Sequence, residues 1–139
     1  MEEFRDLLIV TNNPLVRSRY QNLYPVAYLN APLRLVLVRV RDLVYLGHEL
    51  YTHPLMGSIK PNETPYKTVG ISQAQKEFSH DQACIMADAL LLLDRLPQKR
   101  RTADEDILSD YRLIDYTLFA SAVGLGRETS MILEAQAMR

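Results

Sequence analysis

Apolar and polar positions divide the chain into a first half of short apolar runs alternating with amphipathic stretches and a second half that is amphipathic throughout. Asp6-Leu7-Leu8-Ile9-Val10-Thr11 reads as a strand, and its nearly continuous apolar character suits one covered on both faces. Asn12-Asn13-Pro14 ends it. Pro14 fits the first turn of a helix, where a missing N–H costs little, and Asn13 before it can cap an orphan N–H. A helix is therefore expected over residues 14–23. Val26-Ala27-Tyr28-Leu29 reads as a second strand, ended by Asn30 and Pro32. The following stretch has β-branched content, yet Leu33, Val36, Leu37, Val40, Leu43 and Val44 keep helical spacing as far as Gly47, a C-terminal glycine. That predicts a helix over 32–46. Strands at 48–51 and 67–71 follow, joined by a long loop without a helix, so the direction of the fourth strand stays open. The alternation predicts an α/β fold: a small, mainly parallel four-stranded sheet flanked by helices, with the first strand near its centre.

The remainder predicts helices. Ser79 with Gln82, and Thr102 with Glu105, have capping-box spacing. Ile85, Ala89, Leu92, Leu93 and Leu96 form one apolar face, and Ile107, Tyr111, Ile114, Leu118 and Ala122 another. With Pro97-Gln98-Lys99-Arg100-Arg101 between them, they suggest a C-terminal αα-hairpin with a basic, solvated connection. A last helical stretch is expected over 128–137. The whole of 1–139 reads as a single domain whose helical part spans about 79–139.

Composition narrows the class. The 139 residues are 47% hydrophobic and 24% charged, a globular balance able to build a core without staples. A formal net charge of −1 gives no global attraction to nucleic acid or anionic membrane. One cysteine, Cys84, permits no intramolecular disulfide; inside a predicted helix it reads as a buried small hydrophobe. The acidic start Met1-Glu2-Glu3 is unlike a signal peptide, and no apolar run approaches the roughly 18 to 20 residues that span a bilayer. A cytoplasmic protein is expected.

Chemistry is expected where the first strand ends and in the loop 52–67. Ligands of open α/β sheets gather at the carboxyl ends of strands. Thr11, Asn12 and Asn13 stand there, before a helix N-terminus that suits anions. Asn13 reads first as a cap, whereas for Asn12 a turn-shaping and a ligand-binding role balance. The loop is far longer than the usual roughly 4 to 6 residues, yet prolines stiffen it, as in a shaped site. It gathers Thr52, His53, Ser58, Lys60, Asn62, Glu63, Thr64, Tyr66 and Lys67. Singly, each has a structural reading: His53 ending a strand, Lys60 solvated, Asn62 in an Asx-turn, Tyr66 at the core rim. As a cluster they point to binding. The expected ligand set is Thr11, Asn12, Asn13, Thr52, His53, Ser58, Lys60, Asn62, Thr64 and Tyr66, with His53, Lys60 and Glu63 as candidate catalytic groups. Phosphate-binding glycine motifs, paired cysteines and zinc-binding histidine spacing are missing, so neither a cofactor nor a metal is expected.

Val10-Thr11-Asn12-Asn13-Pro14-Leu15-Val16, Arg41-Asp42-Leu43-Val44-Tyr45-Leu46-Gly47-His48 and the segment from Thr52-His53-Pro54-Leu55-Met56-Gly57 through Pro65-Tyr66-Lys67 together resemble the GrdX family. These are small proteins associated with the glycine reductase system of anaerobic bacteria. The resemblance covers roughly residues 6–96. It implies a cytoplasmic accessory role beside a selenoprotein reductase that converts glycine to acetyl phosphate, and it carries no assigned catalytic residues. The first-ranked expectation is an accessory protein that binds a small anionic ligand or a component of the reductase complex. The second is a small enzyme for a carboxylate or phosphate substrate, with Asn12 and the helix N-terminus holding the anion, Lys60 neutralising charge and His53 moving a proton. The third is a structural subunit forming a homodimer through its C-terminal helices.

Overall fold

The computed structural model describes residues 6–55, 60–97 and 102–124. The element order is β1 (Leu7–Thr11), α1 (Pro14–Tyr20), β2 (Val26–Tyr28), α2 (Leu33–Tyr45), β3 (His48–Leu50), β4 (Thr68–Gln75), α3 (His80–Arg95) and α4 (Glu105–Ala122). The alternation expected in the first half is present, and β1 is an interior strand.

The sheet, in the order β2-β1-β4-β3, is mixed rather than mainly parallel. β1 and β2 are parallel, through Ile9 opposite Val26 and Thr11 opposite Tyr28. β4 runs antiparallel to both β1 and β3. The described residues of the β3–β4 connection hold no helix, and β4 returns beside β3 as an antiparallel neighbour. It then enters between β3 and β1. Its five leading residues are buried and its last three exposed, so it extends past the predicted strand.

Alternation along β1 divides the core. Val10 joins Val36, Leu37, Val40, Val44, Val69, Ile71, Met86 and Leu90 in one cluster, which belongs to α2 and α3. Leu7 and Ile9 face the other, with Val16, Tyr20, Phe119 and Val123 from the α1 and α4 side. Helices thus cover both faces, as the apolar run of β1 requires. α3 and α4 belong to different clusters, and residues 98–101, where the hairpin connection was expected, lie outside the described residues, as does the helical stretch expected over 128–137.

Local signals were met with small shifts. Asn13 caps α1, its side-chain oxygen accepting from Leu15 N, with Pro14 at the first helical position. Ser79 caps α3, but Gln82 turns its side chain away to accept from Leu50 N. The second expected box gives way to Asp104, which caps α4 by accepting from Asp106 N and Ile107 N, while Thr102 accepts from Asp104 N. α3 buries Ala83, Met86, Ala89 and Leu90 and leaves Ile85 and Leu92 outside. This rotation of the buried face also exposes Cys84, correcting its expected burial, and puts its sulfur 3.5 Å from His80 Nε2. Gly47, which ends α2, has φ of +110°, and a Cβ there would lie 1.8 Å from the Lys76 carbonyl oxygen. No other residue type fits that turn without backbone movement.

Candidate functional site

The carboxyl end of the parallel pair β1–β2 opens into a cleft of about 340 Å³, counting its mouth. One wall is the segment 60–67, giving Pro61, Thr64, Tyr66 and Lys67; the other is α4, giving Tyr111, Ile114, Asp115 and Leu118, with Leu33 contributed by the start of α2. Its position is the one where open α/β folds gather ligands.

A string of side chains underlies the cleft. Asn13 Nδ2 donates to Asp115 Oδ2 at 2.9 Å, and Thr68 Oγ1 donates to the same oxygen at 2.7 Å. Thr11 Oγ1 lies 2.7 Å from Thr68 Oγ1 and accepts from Asn13 N at 2.9 Å. A hydroxyl has one proton. With the Thr68 proton committed to the carboxylate, the single Thr11 proton is shared between Thr68 Oγ1 and the Lys67 carbonyl oxygen, 3.2 Å away. Lys67, 8% exposed, lies within electrostatic reach of Asp115.

Burial pushes the Asp115 carboxyl above its ordinary range, against the pull of the Asn13 and Thr68 hydrogen bonds and the Lys67 charge. Burial likewise draws the Lys67 amine below its ordinary value, against the Asp115 charge. Both groups are displaced toward neutrality, the direction that desolvation imposes on charged forms. Although Asp115 as a residue is partly exposed, its carboxylate is turned inward, toward its donors.

α4 holds Asp115 in place through the turn that follows. Tyr116 stacks on Tyr20 of α1 with centroids 5.7 Å apart, and Phe119 meets the same ring edge-on at 6.1 Å. Such aromatic contacts add specific geometry to a large burial. At the rim, Arg112 donates to the Tyr66 hydroxyl at 2.9 Å and pairs with Glu105. The Glu105 hydrogen bond, then that of Tyr66, keeps the Arg112 guanidinium firmly charged.

Of the ligand set expected from sequence, Thr64 and Tyr66 line the cleft. Thr11 and Asn13 lie behind its floor in the string just described. Asn12 acts as a clamp: Nδ2 donates to the carbonyls of Ala31 at 2.9 Å and Pro65 at 2.8 Å, and Oδ1 accepts from Lys67 N at 2.8 Å. Its amide capacity is thus spent on joining the ends of three segments. Thr52 secures the entry to the loop, its hydroxyl accepting from Gly70 N at 3.0 Å. Asn62 donates to Pro97 O at 2.8 Å, tying the loop to the end of α3. His53 is exposed and closes its own turn, Nδ1 accepting from Leu55 N at 3.0 Å. Lys60 is exposed, its carbonyl accepting from Glu63 N at 2.9 Å. His53, Lys60 and Glu63 are not among the cleft-lining residues. Ser58 lies outside the described residues.

Sequence reasoning gave no role to Lys67, although it counted it in the loop, placed Tyr111 only on an apolar helix face, and passed over Arg112 and Asp115. A signal for Asp115 was present: a carboxylate flanking the apolar stripe Tyr111, Ile114 and Leu118, with aromatic residues at 111, 116 and 119. Among the described residues no group of three or more His, Cys, Asp or Glu side chains could hold a metal ion. Nor, among them, is any helix long and apolar enough to cross a membrane.

The family model described as GrdX-like protein matches residues 8–124. The chain belongs to the GrdX-like protein family. The match extends past the 6–96 span of the sequence resemblance and takes in α4, so both walls of the cleft in this GrdX-like chain fall inside the family region. No curated protein and no solved structure is significantly similar to it.

Proposed function

We propose that this GrdX-like protein is an accessory binding protein that receives the anionic head of a small ligand against Lys67, in the cleft between the 60–67 segment and α4. The observation that carries the reading is a buried lysine lining a cleft at the carboxyl end of a parallel strand pair. An ammonium has three donors, so a ligand oxygen can join its existing contacts, and low local dielectric strengthens the attraction. Family membership supports an association with glycine reductase, and the cytoplasm is the compartment that goes with it.

A second reading is turnover of such an anion. It is favoured by the opposed displacements of Asp115 and Lys67, which bring both groups nearer to proton exchange at neutral pH. In this reading these two residues take the roles that sequence reasoning gave to His53 and Lys60.

Calorimetric titration with acetate tests the binding site. Lys67→Met is expected to weaken binding by about tenfold or more, the scale of a charge-assisted contact, while Lys60→Ala leaves it unchanged. Loss in the Lys60 variant with retention in the Lys67 variant would overturn the assignment. The pH dependence has a defined sign. The titratable groups facing the cleft are Lys67, Asp115, Tyr66 and Tyr111, with Arg112 and its partner Glu105 at the rim. Anion affinity should rise as pH falls through the elevated Asp115 value, because the competing negative charge is removed. It should fall as pH rises through the depressed Lys67 value.

A further inference from the structure

We infer that the ligand of this cleft is a small monocarboxylate with an apolar body, aliphatic or aromatic, rather than a bare oxyanion; the inference rests on the anion-site reading above. Three observations lead to it.

The first is the distribution of polarity. Charge in the cleft is confined to Lys67 and Asp115, while Leu33, Ile114 and Leu118 supply aliphatic wall and Tyr111 an aromatic one. A ligand charged at one end and apolar beyond it matches that division. Ile114 is still 38% exposed, so an apolar body would cover surface that the fold leaves open.

The second is the shortage of donors. Phosphate or sulfate spreads charge over several oxygens and is held by converging backbone N–H groups or arginine forks. Here the nearby backbone donors are committed: Lys67 N to Asn12 Oδ1, Tyr66 N to Thr64 Oγ1, Asn13 N to Thr11 Oγ1 and Leu15 N to Asn13 Oδ1. Arg112 is directed to Glu105 and the Tyr66 hydroxyl. An ammonium suffices for one carboxylate and is a poor match for a dianion.

The third is Asp115 itself. Its carboxyl beside Lys67 opposes a second negative charge on a ligand, and when protonated it can donate to one carboxylate oxygen. The cleft is narrow, and much of its roughly 340 Å³ is its open mouth, which favours an acid of few carbons.

The experiment is a titration of the full chain with acetate, butyrate, hexanoate, benzoate and inorganic phosphate at constant ionic strength and pH. Affinity is expected to rise about three- to fourfold for each methylene that becomes buried along the aliphatic series. Phosphate should bind more weakly than butyrate. Ile114→Ser, a change at a partly exposed position, should flatten the chain-length dependence. Equal affinity for acetate, butyrate and hexanoate overturns the inference, as does a chain-length gain untouched by the Ile114 variant. Phosphate binding tightest overturns it while leaving the anion site standing. Failure of all five to bind overturns both.

Discussion

Asp115→Ala is expected to destabilise the protein by about 3–5 kcal/mol, the cost of removing one partner from a buried charged pair. The substitution takes away the acceptor for Asn13 Nδ2 and for the Thr68 hydroxyl, together with the countercharge facing Lys67. Asp115→Asn should cost less, because a carboxamide oxygen can still accept from one of those donors. Lys67→Met combined with Asp115→Asn should cost far less than the sum of the single changes, since charges removed together leave nothing buried and uncompensated. Denaturant unfolding at neutral pH measures all four corners of this cycle.

The pH dependence of the same cycle follows from the directions of the two displacements. For Asp115 the folded value lies above the unfolded one. Its contribution is therefore fully present below the unfolded value and lost as pH rises through the folded one. For Lys67 the folded value lies below the unfolded one. Its contribution is present above the unfolded value and lost as pH falls through the folded one. The wild type should therefore compare least favourably with the uncharged double variant in the neutral range between those limits. A pair worth no more than a surface ion pair, with Asp115→Ala costing under about 1 kcal/mol, would contradict this account of the floor.

Asn12→Ala carries the second large effect, a loss of about 3 kcal/mol, from three hydrogen bonds each worth roughly 1 kcal/mol where a partner is left unsatisfied. The bonds hold Ala31 before α2, Pro65 in the loop and Lys67 before β4 to the end of β1. Because these segments form the cleft wall, the variant should also lose acetate affinity at temperatures where it remains folded. A stability loss under about 1 kcal/mol in denaturant unfolding would show that the clamp is replaceable. The Asn12 side chain thus joins three segments of the cleft wall.

The sequence disclosed local features well because they depend on neighbours in the chain. Asn13-Pro14 made α1 legible, and the helical spacing from Leu33 to Val44 made α2 legible despite its β-branched residues. The apolar run of β1 foretold a strand with helices on both faces. The pairing of β4 was not legible, since its antiparallel insertion depends on the path of a long loop. The apolar stripe of α4 was identified, but it lies along the cleft: Tyr111, Ile114 and Leu118 are lining residues, whereas Phe119 and Ala120 are the buried ones. The sequence pointed to the end of β1 and to the loop 52–67, of which Pro61, Thr64, Tyr66 and Lys67 line the cleft. What was missed came from distance in sequence. Asp115 meets Asn13 and Thr68 across separations of 102 and 47 residues, which no local spacing reveals. His53 and Lys60 attracted notice for their chemistry, while Lys67 beside the strand carries the buried charge.

Backbone-amide NMR during a titration with butyrate tests the central claim most directly. Binding in the cleft predicts the largest shifts at Tyr66, Lys67, Tyr111 and Asp115, with Lys67→Met removing them. Shifts centred on His53 and Lys60 with the cleft residues unmoved, or no saturable shift at any residue, would contradict it.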